Sequence, residues 1–134
     1  MTTTADVREA LAIAASYCGR EVKPYAQDTV VAGSGYVMRR EFDPRYVFGQ
    51  TKVPYPFMVR FFFARTSELS AQQDIDTLCD IAGDGSFLAA VQNGDNWPSD
   101  LVDYASVTNV GDITETTLGG VDYLTVDFDI EVVW

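Results

Sequence analysis

The sequence predicts an α+β domain: a mostly antiparallel sheet packed by an N-terminal helix and two mid-chain helices, with a protruding arm or hairpin. Three observations carry that expectation. Apolar residues recur at helical spacing near the N-terminus and again after residue 70, the closing segment alternates apolar and polar residues, and prolines interleave with aromatics over 43–56. At 134 residues, 47% hydrophobic and 22% charged, the chain has the size and balance of one globular domain spanning 1–134.

Residues 5–18 form an amphipathic helix, because Val7, Leu11, Ala14 and Cys18 share a face while Arg8 and Glu9 point elsewhere. Thr3 or Thr4 caps it and Gly19 ends it. Glu21–Tyr25 is a short strand edged by Pro24, Gly33-Ser34-Gly35 is a turn, and Tyr36–Phe42 is a second strand. Between Asp43 and Pro56, four prolines and glycines alternate with Tyr46, Phe48 and Tyr55. That stretch is too proline-rich for a central strand and too aromatic for an ordinary solvated loop, so it reads as an arm that needs a second surface. Phe57–Ala64 is apolar on both faces apart from Arg60, which predicts a central strand covered on both sides, with Arg60 seeking a carboxylate or a subunit boundary.

A second helix is expected from Ser70, where Ser70–Gln73 has capping-box form, to Ala82, with Ile75, Leu78, Cys79 and Ala82 inward. Gly83-Asp84-Gly85 stops it, and Ser86 caps a short third helix from Phe87 to Gln92 or Asn93. DNWPSD, 95–100, is a turn. Leu101–Val110 is a strand, a Gly/Asp/Thr-rich connection follows, and Gly119-Gly120 turns the chain into Val121–Trp134. There Leu124, Val126, Phe128, Ile130 and Val132 face a core, and Thr125, Asp127, Asp129, Glu131 and Val133 face away. Such a long strand pairs across a subunit boundary or bends at a bulge.

Charge is the most informative arithmetic. All nine cations lie in residues 1–65 against six acids there, a balance of +3, and the remaining fourteen acids follow Thr66 with no Lys or Arg, for a net −11. Separated signs let a basic surface of one copy meet an acidic surface of the next, although acids that simply keep a small domain soluble fit the same composition. Clustered Lys and Arg for phosphate binding are missing, which disfavours nucleic-acid affinity. The absence of His removes the Ser-His-Asp triad, the Cys-His pair and every His-containing metal site within one chain.

No other motif supplies chemistry. Cys18 and Cys79 are 61 positions apart in helical patterns and read as buried reduced thiols in a cytoplasmic setting; no export signal or membrane span is apparent. Asp127, Asp129 and Glu131 lie on one strand face about 6.6 Å apart, too far for two to share a metal without ligands from elsewhere. Of Asp74, Asp76 and Asp80, only the last two share a helix face; Asp84-Gly85-Ser86 lacks the spacing of a calcium loop; Ser34 has no histidine to activate it. No cofactor and no metal are expected. Phe61, Phe62 and Phe63 read as core, and Tyr46, Phe48 and Tyr55 as partner contacts.

In order and in several local strings the chain resembles the tail terminator and neck proteins of long-tailed phages that infect actinobacteria. The strings are VREALAIAA, FMVRFFFA followed by AQQDIDTLCDIAG, the Gly-Ser-led GSFLAAVQNGD, and the closing VDYLTVDFDIEVVW. DNWPSD, where relatives tend to have a Leu-Gly-Gly-like turn, and the long 43–56 arm depart from the pattern. The resemblance implies a non-catalytic virion protein, assembled in the host cytoplasm, whose hexameric ring caps the tail tube and joins it to the head–tail connector while DNA passes through the bore. Its partners would be further copies of itself, the tail tube protein and a connector or stopper protein, with no membrane. Arg39, Arg40, Arg45, Lys52 and Arg60, with Tyr46, Phe48 and Tyr55, would form the subunit interface, and Asp127, Asp129 and Glu131 would face the bore. A neck stopper or tail-completion protein is the alternative within the same assembly; a small carboxylate-based enzyme or ligand-binding domain is the alternative outside it.

Overall fold

Thr3 opens the first helix. In the computed structural model, which describes residues 3–40, 54–65, 68–98 and 101–134, its hydroxyl accepts the Asp6 N–H at 3.2 Å and its own N–H donates to the Asp6 carboxylate at 3.0 Å. That reciprocal cap starts α1 (Thr4–Ser16), whose Val7, Leu11, Ala14 and Ala15 are fully buried. Gly19, at φ +89°, takes the left-handed turn after it. The second helix, α2 (Glu68–Leu78), begins two residues before the expected Ser70 and ends before the expected Ala82. Ser70 is exposed within the helix, and beyond Cys79, whose N–H still reaches the Ile75 carbonyl, turn-type bonds such as Asp80 N–H to Thr77 C=O take over, leaving Ala82 exposed. α3 (Phe87–Gln92) starts where expected, with the Ser86 hydroxyl accepting the Ala89 N–H at 3.1 Å and donating to the Asp80 carbonyl. A 3-10 turn, Gly94–Asn96, follows it.

Among the described residues six strands form one sheet: β1 (Val22–Lys23), β2 (Gly35–Arg39), β3 (Tyr55–Ala64), β4 (Tyr104–Val110), β5 (Thr114–Leu118) and β6 (Val121–Val133). Their order is β1-β2-β3-β6-β4, with β5 also on β6; β1 and β2 are parallel and all other pairs antiparallel. The fold class is therefore the α+β arrangement expected. Besides α2, and β4, which starts at Tyr104 and not at the expected Leu101, two elements differ from expectation. Tyr55 and Pro56, assigned to the arm, belong to β3; β2 joins β3 only from Phe57 onward, so Pro56 sits at a strand end with one neighbour, where proline is tolerated. The Gly/Asp/Thr-rich connection contains β5, whose Thr114↔Thr125 to Leu118↔Val121 register makes a hairpin closed by Gly119 and Gly120 at φ +60° and +79°. β5 also accounts for the length of β6, which pairs β3 along one side and β5 and β4 end to end along the other, with a bulge between Val107 and Asn109.

The three described helices cover the same face of this sheet. Val7 and Leu11 of α1, Ala71, Ile75 and Leu78 of α2, and Phe87 and Val91 of α3 join Phe57, Val59, Phe61 and Phe63 of β3 and Leu124 to Val132 of β6 in one core. At its centre Phe61, Phe87 and Phe128 meet pairwise with ring centroids 4.5–5.7 Å apart. The expectation that β3 is covered on both sides is corrected: on its other face Met58 and Arg60 are half-buried and only Phe62 is buried, between Tyr36 and Tyr123. β2 lies so close to β3 that a Cβ on Gly35 would stand 2.5 Å from the Arg60 carbonyl. The Arg8 guanidinium reaches the Val37 carbonyl on β2, beyond its pairing with β1, and the Gln92 amide oxygen accepts the Val107 N–H on the edge strand β4.

Candidate interaction face

The sheet face turned away from the helices holds most of the described residues singled out from the sequence. Register places Arg60 of β3 opposite Asp127 of β6, and the two side chains meet fork to fork, Nε to Oδ1 at 2.7 Å and Nη2 to Oδ2 at 3.0 Å. The Asp127 hydrogen bond raises the Arg60 pKa above its ordinary value against the opposing effect of burial, so the guanidinium stays charged. Two residues along β6, Asp129 stands 3.6 Å from Arg40 and accepts a 3.3 Å hydrogen bond from the Asn109 amide. Glu131 follows, half-buried between Pro56 of β3 and Ser106 of β4, with no ion pair among the described residues. Tyr36, Met38 and Met58 give the same face an apolar side on β2 and β3.

At one end this face closes over. Phe62 is flanked by Tyr36 and by Tyr123, whose hydroxyl donates to the Val30 carbonyl at 3.3 Å. Beyond it the Thr125 hydroxyl is buried against those of Thr114 and Thr116 at 2.9 and 3.0 Å. The alternation expected for β6 is thus right about the core side, while Thr125 and Val133, assigned to the wet side, are buried near its two ends.

Among the described residues four ion pairs join a cation from the first half of the sequence to an acid from the second: Arg20–Asp74 at 3.3 Å, Arg40–Asp129, Arg60–Asp127, and Arg65–Glu115 at 2.9 Å. Charges separated along the chain are here brought together in space. Lys23 pairs with Glu21, and Arg8 lies over the Tyr25 ring at 4.7 Å, which leaves Arg39 as the described cation with neither an ion pair nor a ring contact. Of the expected interface residues, Arg40 and Arg60 lie on or beside this face, whereas Arg39, in register with Phe57, lies on the helix side. Tyr55 instead looks toward the helix side, packed on Phe57 and Trp134 with centroids 5.1 and 5.3 Å away. Arg45, Tyr46, Phe48 and Lys52 fall outside the described residues. Of the expected bore acids, Asp127 and Asp129 are held by Arg60 and Arg40, and Glu131 is the one left to act on something else.

The remaining candidates have structural work. Ser34 donates to the Val31 carbonyl at 2.5 Å in the turn that leads into β2. Asp74 holds Arg20, and the Asp84–Ser86 string restarts a helix through the Ser86 cap. Both cysteines are free; desolvation pushes up the Cys18 thiol, and desolvation with the charges of Asp76 and Asp80 pushes up that of Cys79, so both stay protonated at neutral pH. Among the described residues no group of three or more Asp, Glu or Cys is placed to hold a metal ion, and no helix is long and apolar enough to cross a membrane. No protein-family model, curated protein or solved structure matches the chain.

Proposed function

We propose that the chain is a structural subunit that assembles with copies of itself into a closed ring, of the kind that terminates a phage tail and lets DNA pass. The observation that supports this most is the one-sided fold. With the described helices on one face, β2, β3 and β6 leave on the other the half-buried Met38, Met58, Arg60, Asp127, Asp129 and Glu131, over which no described helix packs. Such mixed apolar and polar surfaces are what protein partners cover.

Acids also dominate what remains available for contact. Glu9, Asp28, Asp76, Asp80 and Asp84 are exposed without ion pairs among the described residues, an excess that suits a channel through which a polyanion must slide without sticking. A heterologous contact closes into a ring only if its rotation permits. Native mass spectrometry and negative-stain imaging of the purified chain test the reading: a six-fold ring, alone or on tail tubes, supports it. Mass of one copy under both conditions contradicts it. The position of the ring, at the tube end or one layer toward the head, separates a terminator from a stopper.

A further inference from the structure

We propose that β5 is a docking edge for a second copy of this chain, which adds its own β5 antiparallel across a two-fold axis at Thr116. Such a contact is isologous, so it lies outside the heterologous ring reading and stands or fails apart from it. Gly119 and Gly120, at φ +60° and +79°, close a two-residue hairpin turn, which makes Leu118 and Val121 a hydrogen-bonded pair. Alternation then gives Thr116↔Tyr123 and Thr114↔Thr125 the further bonds to β6, and turns the backbone N–H and C=O of Glu115 and Thr117 outward. No described strand lies beyond them, and Thr114, Glu115 and Thr117 are exposed. The other described edges carry guards. The Ser16 hydroxyl accepts the Val22 N–H of β1, Arg8 reaches the Pro24 and Val37 carbonyls, and β4 has its bulge and the Gln92 amide. On β5 the one charge, Glu115, is already held by Arg65 at 2.9 Å. An edge left in this state is a template for another strand.

The edge is complementary to itself. Antiparallel pairing requires outward residues to face outward residues, and β5 satisfies this with its own copy when Glu115 stands opposite Thr117 of the partner subunit and Thr117 opposite the partner's Glu115. Each of those pairs then exchanges both of its backbone bonds. The adjacent register of the same parity would set Glu115 directly against the partner's Glu115, and like charges in that position are unfavourable. In the favoured register Thr116 meets the partner's Thr116, a stabilising cross-strand pair. Exposed apolar surface is covered as well, because Ile113, 42% exposed, comes up to the glycine turn of the other copy. Five residues of strand make a transient contact, populated at high concentration on top of whatever assembly is stable.

The test is a cross-link at the axis. Directly opposed, non-hydrogen-bonded residues of an antiparallel pair lie about 4.5 Å apart between Cα atoms, within disulfide reach, and diagonal neighbours, at about 7–8 Å, do not. With Cys79 replaced by serine and Cys18 buried, Thr116→Cys under oxidised glutathione should form a covalent pair of copies at least about tenfold faster than Glu115→Cys at the same concentration. Adding Thr117→Pro, which removes an outward N–H and leaves the bonds to β6 in place, should abolish that advantage with circular dichroism unchanged. Equal rates at the two positions, or a faster Glu115→Cys, overturn the proposal, as does an undiminished cross-link in the proline variant. The comparison of the two cysteines decides even where proline disturbs the hairpin. A chain that forms no ring yet cross-links at residue 116 upholds this contact and refutes the ring, and a ring without the cross-link does the reverse.

Discussion

Arg60 shows what a single side chain decides in this molecule. A guanidinium inside an otherwise apolar strand had to find a carboxylate, and that need was legible in FMVRFFFA; its partner was not, because the register that sets Arg60 opposite Asp127 joins residues 67 apart. Both side chains are about a quarter exposed, 26% and 29%, which places the pair between a surface bridge and a buried one. Asp127→Ala should therefore cost about 1–2 kcal/mol in urea unfolding, and Arg60→Met with Asp127→Leu should recover most of it. The folded-state pKa of Arg60 is raised, so its contribution is complete below the unfolded value and is lost only as pH climbs through the still higher folded one, above the working range. Asp6 has the opposite sign. Hydrogen bonds from the Thr3 backbone and side chain lower its pKa from 3.8, so the stability it adds is present above that value and disappears as pH falls through the folded one. Asp6→Asn should accordingly narrow the difference between urea midpoints measured at pH 7 and in acid below the ordinary carboxylate pKa.

Among the elements, the sequence was most readable where local chemistry acts alone. The Thr3 and Ser86 caps, the left-handed Gly19 and the alternation of β6 each follow from neighbours within a few residues. It was least readable where a distant strand supplies the reason. TETTL has no apolar stripe and becomes β5 because β6 offers it a partner, and Tyr55-Pro56 is strand because β6 extends past the end of β2. The α2 start was misread because Ser70–Gln73 has capping-box spacing inside a helix already under way. Two substitutions test the resulting architecture. Gly35→Ala drives a methyl into the Arg60 carbonyl and should cost about 1–3 kcal/mol, seen as a lower thermal midpoint. Phe128→Ala removes the ring that Phe61 and Phe87 pack against, and its loss should be larger, about 3–5 kcal/mol in chemical unfolding.

For the whole molecule, the strong charge asymmetry of the sequence resolves into two parts. Four cations of the first half cross over to acids of the second and hold strands and helices of one chain together. What this leaves outside is an acidic surface, a half-buried Glu131 on the open sheet face, and Arg39. A sequence reading that counted Arg40, Arg60, Asp127 and Asp129 as available to neighbours could not foresee this, since charge order along a chain does not fix pairing in space. Arg45 and Lys52 lie outside the described residues and remain the cations assigned to a neighbour. Reversing both to Glu should weaken self-association, read by sedimentation, and leave the melting temperature unchanged. The most direct measurement is the mass of the purified protein by native mass spectrometry at low and at high concentration, with and without tail tubes. A closed multiple of the chain mass, six copies, is the predicted result. One copy throughout, with no mass added on tubes, would contradict the account.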